Sequence, residues 1–225
     1  MKKLFAAVAA ASAFLVSPAV AEVGPEHDHT KHAQGCMMLM ECTEGVTEIN
    51  SAADLELLYP RVDWTEYRAE ADAILRDLAE LGIPVHVGAP RYFMRNETAL
   101  YDTAYNRVWV NDRVAEYPDT FMIALRHEAW HAAQDCMAGG IDNGFMAVIH
   151  GEENTPPVWT DIATHLYPAG IVEWEAEAKW AGSERGMTAD AIGVCVATDQ
   201  RPWTELTPTP KTLEWLEQEG FTGTN

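Results

Sequence analysis

The stretch Ala124-Leu-Arg-His-Glu-Ala-Trp-His-Ala-Ala-Gln-Asp135 decides how this chain is read, because it holds His127-Glu128-Ala129-Trp130-His131, an H-E-x-x-H pattern. On a helix, residues four apart stand one turn apart on one face, so both imidazoles can bind a single zinc ion. Glu128 projects beside them in another direction, from which it can take a proton from a zinc-bound water. The flanking residues supply the helix: Met122, Leu125, Ala129, Ala132 and Cys136 recur at helical spacing as an apolar stripe. At about 100° per residue the two histidines point almost opposite to that stripe. Histidines that served only as core would sit inside it. The pattern therefore reads as a metal site, with His127 and His131 as ligands and Glu128 as general base.

The chain starts Met1-Lys-Lys, runs apolar from Leu4 to Val16 and reaches Ala19-Val20-Ala21, the layout of a bacterial-type secretory signal cleaved after Ala21. The run is short for a membrane span and no later segment approaches one, so the expectation is an exported protein, periplasmic or secreted. The formal charge of −20 becomes −22 once Lys2 and Lys3 are removed, which argues against nucleic acid or anionic membrane as a partner. Four cysteines in an oxidising compartment suggest two disulfides. Of the three pairings, Cys36 with Cys42 and Cys136 with Cys195 is favoured, the second tying the metal helix to a later one. No C-x-x-C spacing points to a thiolate zinc site.

Residues 1–21 are thus assigned to a signal peptide, 22–50 to a polar leader and 51–225 to a single domain. Hydrophobic residues make up 48% of the chain and eight are tryptophans, enough for one substantial core. The leader carries His27, His29 and His32 ahead of Cys36-Met-Met-Leu-Met-Glu-Cys42. Imidazole and thioether groups together are ligands for copper, while the plainer reading is a tail followed by an apolar segment docked on the core.

Residues 63–81 read as an amphipathic helix with Asp63 and Glu66 as a capping box, stopped by Gly82 and Pro84 and preceded by a short helix over 52–58. Val85-His-Val87 and Arg91-Tyr-Phe-Met94 read as short strands, and Ala99-Leu-Tyr-Asp102 with Arg107-Val-Trp-Val-Asn111 as a hairpin or two edge segments. Pro118 and Asp119 open the metal helix, which Gly139 and Gly140 close. The 141–159 run is long for a connection without regular structure and is a candidate wall for a substrate cleft. A helix over 171–181 has apolar residues on nearly every side, so Glu173, Glu175 and Glu177 need partners once buried. Further helices are expected over 187–197 and 212–219.

Taken together, residues 99–181 resemble the zincin metallopeptidases, and within them the gluzincins, whose third zinc ligand is a glutamate on a later helix. The Ala99-Leu-Tyr-Asp and Val-x-Val-Asn segments are similar to the substrate-side strands of that group. The metzincin extension would need glycine and histidine where Gln134 and Met137 stand. Glu173-Trp-Glu175-Ala176 is similar to the E-x-E-A segments of gluzincins and favours Glu175 as third ligand. Glu173 with Glu177 one turn on, as ligand and outer carboxylate, is the competing assignment.

The resemblance implies an α+β, zincin-like fold with a small mixed or antiparallel sheet packed on the H-E-x-x-H helix. It implies a zinc-dependent peptidase whose peptide substrate pairs with the edge strand near Ala99 to Tyr101. Tyr101, Tyr105, His150, His165 and Tyr167 are candidates to stabilise the oxyanion. The rival from another class is a catalytically inactive, exported metal-binding or scaffold protein on the same fold, with the leader handling copper. Such a protein has no need of a base at Glu128.

Overall fold

The computed structural model describes residues 31–139 and 146–197. Strand β2 (Val85–Gly88) is buried at every position, since it lies inside a four-stranded sheet of order β1-β2-β4-β3. β1 (Val46–Ile49) runs antiparallel to β2, β4 (Arg107–Asn111) parallel to it, and β3 (Ala99–Asp102) antiparallel to β4 at the far edge. The sheet is therefore mixed, and the chain belongs to the α+β class.

Side-chain alternation gives the sheet two faces. Ala99, Tyr101, Val108 and Val110 point into the main core with Val85 and Val87. Helices α2 (Ala52–Leu58), α3 (Arg68–Glu80), α4 (Asp112–Ala115), α5 (Pro118–Met137) and α8 (Met187–Ala197) cover that face. Trp109 points the other way, into a smaller cluster with Tyr92, Phe93, Ala33 and Met37. The last two come from α1 (Lys31–Met38), so the sulfur-rich segment of the leader docks on the sheet. The sheet itself begins at Val46, inside the stretch the sequence assigns to the leader.

Two element readings are corrected. Arg91 to Met94 is not a strand: Pro90–Tyr92 forms one 3-10 turn closed by the Phe93 N–H on the Pro90 carbonyl. Proline fixes φ in the helical range there, and Tyr92 and Phe93 are buried by the α1 cluster rather than by a neighbouring strand. The capping box at Asp63 and Glu66 does not form either. Asp63 accepts from the Thr65 N–H in a turn, Glu66 pairs with Arg185, and α3 starts a turn later behind Tyr67. The hairpin, the H-E-x-x-H helix and the helices over 52–58 and 187–197 lie where the sequence puts them. The helix expected over 212–219 lies outside the described residues.

Both disulfides, Cys36 with Cys42 and Cys136 with Cys195, have the favoured pairing, and no described cysteine is free. The second joins α5 to α8. They leave no thiol for a metal, and Met37 is spent on packing. Disulfides suit an oxidising compartment. Among the described residues no helix is long and apolar enough to cross a membrane. Residues 1–21, which the sequence reads as a signal peptide, and His27 and His29 lie outside the described residues.

Candidate metal centre

Helix α5 is buried on almost every side, because α7 (Val172–Ser183) covers the face that carries the histidines while the apolar stripe faces the main core. The depth of His127 and His131 is set by two contacts. Arg126, buried next to His127, makes a bidentate pair with Glu70 of α3 at 2.7 and 2.6 Å, and Glu70 also accepts from the Gly186 N–H. Gly182 lets α7 come close: a Cβ there would stand 3.0 Å from the Ile123 carbonyl and 3.4 Å from His127 Cβ. A side chain at this position would hold the two helices apart.

The close approach brings Glu175 of α7 onto the pair of imidazoles. Its carboxylate oxygens lie 3.3 Å from His127 Nε2 and 3.8 Å from His131 Nε2, and the two rings stand perpendicular with centroids 4.9 Å apart. Glu128 is also near, with one ligand atom from each of His127, Glu128 and His131 within 4.8 Å of one another. Two carboxylates thus compete for one place, and their surroundings divide the roles. Glu175 faces both histidine Nε2 atoms, whereas Glu128 is reached by the Tyr101 backbone N–H of the edge strand.

Proton affinities follow the same division. Burial pushes the Glu128 carboxyl up to about 7, with the charge of His127 opposing it and that of Glu175 adding to it. Burial also acts to raise Glu175, but His127, His131 and the Tyr167 hydroxyl outweigh it and hold that carboxyl below its ordinary value. Burial and the neighbouring His127 bring His131 down to about 4, which leaves it neutral and able to donate a lone pair at neutral pH.

The other two glutamates separate clearly. Glu177 is buried and accepts from the N–H groups of Ile149, His150 and Gly151 and from Gln134 Nε2, so its oxygens are occupied by donors. Glu173 is half-buried and does not line the cleft.

A donor set of two imidazole nitrogens and one carboxylate is what zinc takes in open sites. The fit is supported by Glu175 Oε2, which is buried yet accepts no hydrogen bond of normal geometry. A cation between the three groups would satisfy it.

The centre opens into a cleft of about 970 Å³. One wall is the 94–101 stretch ending in β3; the other is α6 (Pro157–Leu166), presenting Trp159, Ile162 and Leu166. The sequence reading missed α6, although Pro157 at its first turn and the apolar spacing of those three residues signal it. Part of the 141–159 run does line the cleft, through Met146 and Trp159. No family model matches the chain, and neither curated proteins nor solved structures give a match.

Of the five oxyanion candidates, the fold brings only Tyr167 to Glu175, where its hydroxyl bonds that carboxylate and burial raises its pKa. Tyr101 donates to Asp135 at 2.8 Å on the core side. His150 stacks on Trp130, His165 is exposed with Nδ1 on the Asp161 carbonyl, and Tyr105 is exposed beside Arg107. Lys179, one turn after Glu175, also lines the cleft with its ammonium over the Tyr167 ring; it too escaped the sequence reading.

Proposed function

We propose that the protein is an exported zinc-dependent hydrolase that cleaves peptides, built on a gluzincin-like plan. The observation that carries this reading is the convergence of His127, His131 and Glu175 in a cleft where a further carboxylate, Glu128, lies beside them. Zinc held by the three would act as a Lewis acid on a carbonyl oxygen and make water more acidic.

The chain's own residues supply the rest. Glu128 accepts the proton of the attacking water and passes it to the leaving amine, a task suited to a buried carboxyl whose pKa lies near neutrality. Tyr167 turns its single O–H from Glu175 to the oxyanion as hydrogen-bond donor. Substrate backbone pairs with the free edge of β3. The Asn111 N–H bonds the Thr98 carbonyl, so by antiparallel alternation the N–H and C=O of Ala99 and the C=O of Tyr101 face outward. Trp159, Ile162 and Leu166 exclude water from the opposite side.

Substitution separates this reading from an inactive metal-binding protein. Glu128→Gln keeps size and polarity but removes the proton acceptor, so zinc stays near one equivalent while peptide turnover falls about a hundredfold or more. His127→Ala or His131→Ala lowers zinc occupancy itself. Metal analysis and a broad peptide-digestion assay read both effects. Full activity in Glu128→Gln, or wild-type protein that takes up no zinc, overturns the hydrolase.

A further inference from the structure

The proton on His131 can be located from its neighbours. Gln134 lies three residues beyond His131 on α5, and its Nε2 faces two acceptors, Glu177 Oε2 at 2.9 Å and the Trp174 carbonyl at 3.3 Å. An amide nitrogen donates and does not accept, so this orientation is chemically imposed, and it turns Gln134 Oε1 to His131 Nδ1, 2.8 Å away. That oxygen can only accept. Nδ1 therefore carries the hydrogen and Nε2 keeps its lone pair, on the side where Glu175 lies 3.8 Å away.

Glu177 sets the direction of the whole chain of bonds. Its Oε1 accepts from the His150 and Gly151 N–H groups and its Oε2 from the Ile149 N–H and Gln134 Nε2, filling the sites of an acceptor-only carboxylate. The same side chain thus holds the loop over 149–151 and, through Gln134, the ring of His131.

We propose that Gln134 and Glu177 are positioning residues that lock His131 in its metal-binding tautomer and couple that tautomer to the order of the 149–151 segment. The proposal rests on the metal centre described above and extends it to residues that touch neither metal nor substrate. The direction of the relay is reversible by one atom. In Glu177→Gln the new side chain keeps its oxygen on the His150 and Gly151 N–H groups, gives up the Ile149 N–H bond and presents NH2 to Gln134. Gln134 then turns over, offers its own NH2 to Nδ1, and moves the histidine hydrogen to Nε2, where it blocks the metal.

Two measurements test this: imidazole 15N shifts of His131 in metal-free protein, and zinc affinity by competition with a chelating dye. The wild type should show the Nδ1–H tautomer. Glu177→Gln should shift toward Nε2–H and bind zinc about ten- to a hundredfold more weakly. Gln134→Leu should show mixed tautomers and a similar loss; zinc should slow amide exchange at 149–151 in the wild type and should not in this variant. An Nε2–H tautomer in the wild type, or variants that lose stability while keeping wild-type tautomer and zinc affinity, overturns the proposal. If Glu177→Gln does not fold, Gln134→Leu decides, since it leaves the three backbone donors on Glu177. Should the wild type bind no zinc, the metal reading fails, and the imidazole shifts alone judge the relay.

Discussion

Glu175 and Glu177 leave α7 about 200° apart, so one helix serves two purposes with one residue type. Glu175 turns to the cleft and its two histidines; Glu177 turns to the loop and its backbone donors. Under metal analysis, Glu175→Ala should behave like the loss of a histidine, while Glu173→Ala keeps its zinc; a Glu173 variant that empties the site would reverse the assignment. Glu128 and His131 also leave a signature in acid stability. Burial raises Glu128 from 4.5 to about 7, so the folded state keeps a proton that the unfolded chain releases. That contribution is full below about pH 4.5 and lost as pH rises through about 7. His131 works in the opposite sense: lowered from 6.5 to about 4, it costs stability as pH falls between those values. In metal-free protein, Glu128→Gln removes the first slope and leaves the second. Relative to wild type the variant should gain on the order of 3 kcal/mol across the Glu128 window, read by denaturant unfolding at successive pH values. A difference that stays constant with pH would contradict the burial of that carboxyl.

Between elements, the contact that sets α5 against α3 and the α7–α8 corner is the Arg126–Glu70 pair. Arg126 donates twice to Glu70 and once to the Gly182 carbonyl, and its own carbonyl accepts from Thr188. Burial works to raise Glu70, but the Arg126 hydrogen bonds and charge, with the Gly186 N–H, prevail and keep it below the ordinary carboxylate value. Its stabilisation is therefore present above about pH 4.5 and is lost as pH falls through the depressed value. Glu70→Gln leaves a buried guanidinium without its countercharge, and should cost about 3 kcal/mol in denaturant unfolding at neutral pH. The deficit should shrink toward acid. A neutral result would mean that helix packing alone holds α5. The Cys136–Cys195 bond reinforces the same α5–α8 contact from the other end of the helix.

Across the whole molecule, the leader and the candidate metal centre are separable only up to a point. Gln34 of α1 hydrogen-bonds Glu97, a residue of the cleft wall, so a truncation reaching residue 34 would disturb that wall. Deleting 22–30 instead should leave zinc content and turnover unchanged; loss of zinc in that truncation would place leader histidines in the main site. What the amino-acid order by itself determined was whatever depends on neighbours in the chain. The helical spacing of Met122, Leu125, Ala129, Ala132 and Cys136 marked α5, its Pro118 start was legible, and His127 and His131 shared a face, with Glu128 beside it, because a helix turns every 3.6 residues. The β3–β4 hairpin and α7 were readable on the same grounds. What only the tertiary structure decided was which glutamate meets the histidines, since that depends on how closely α7 approaches α5 at Gly182 and on its rotation there. Tyr167 rather than Tyr101 or His150 at the centre, the start of the sheet at Val46, and Gln134 as the link to Glu177 were decided in the same way. Each rests on a contact between residues distant in the chain, fixed by packing and hydrogen-bond demand, which local spacing does not encode.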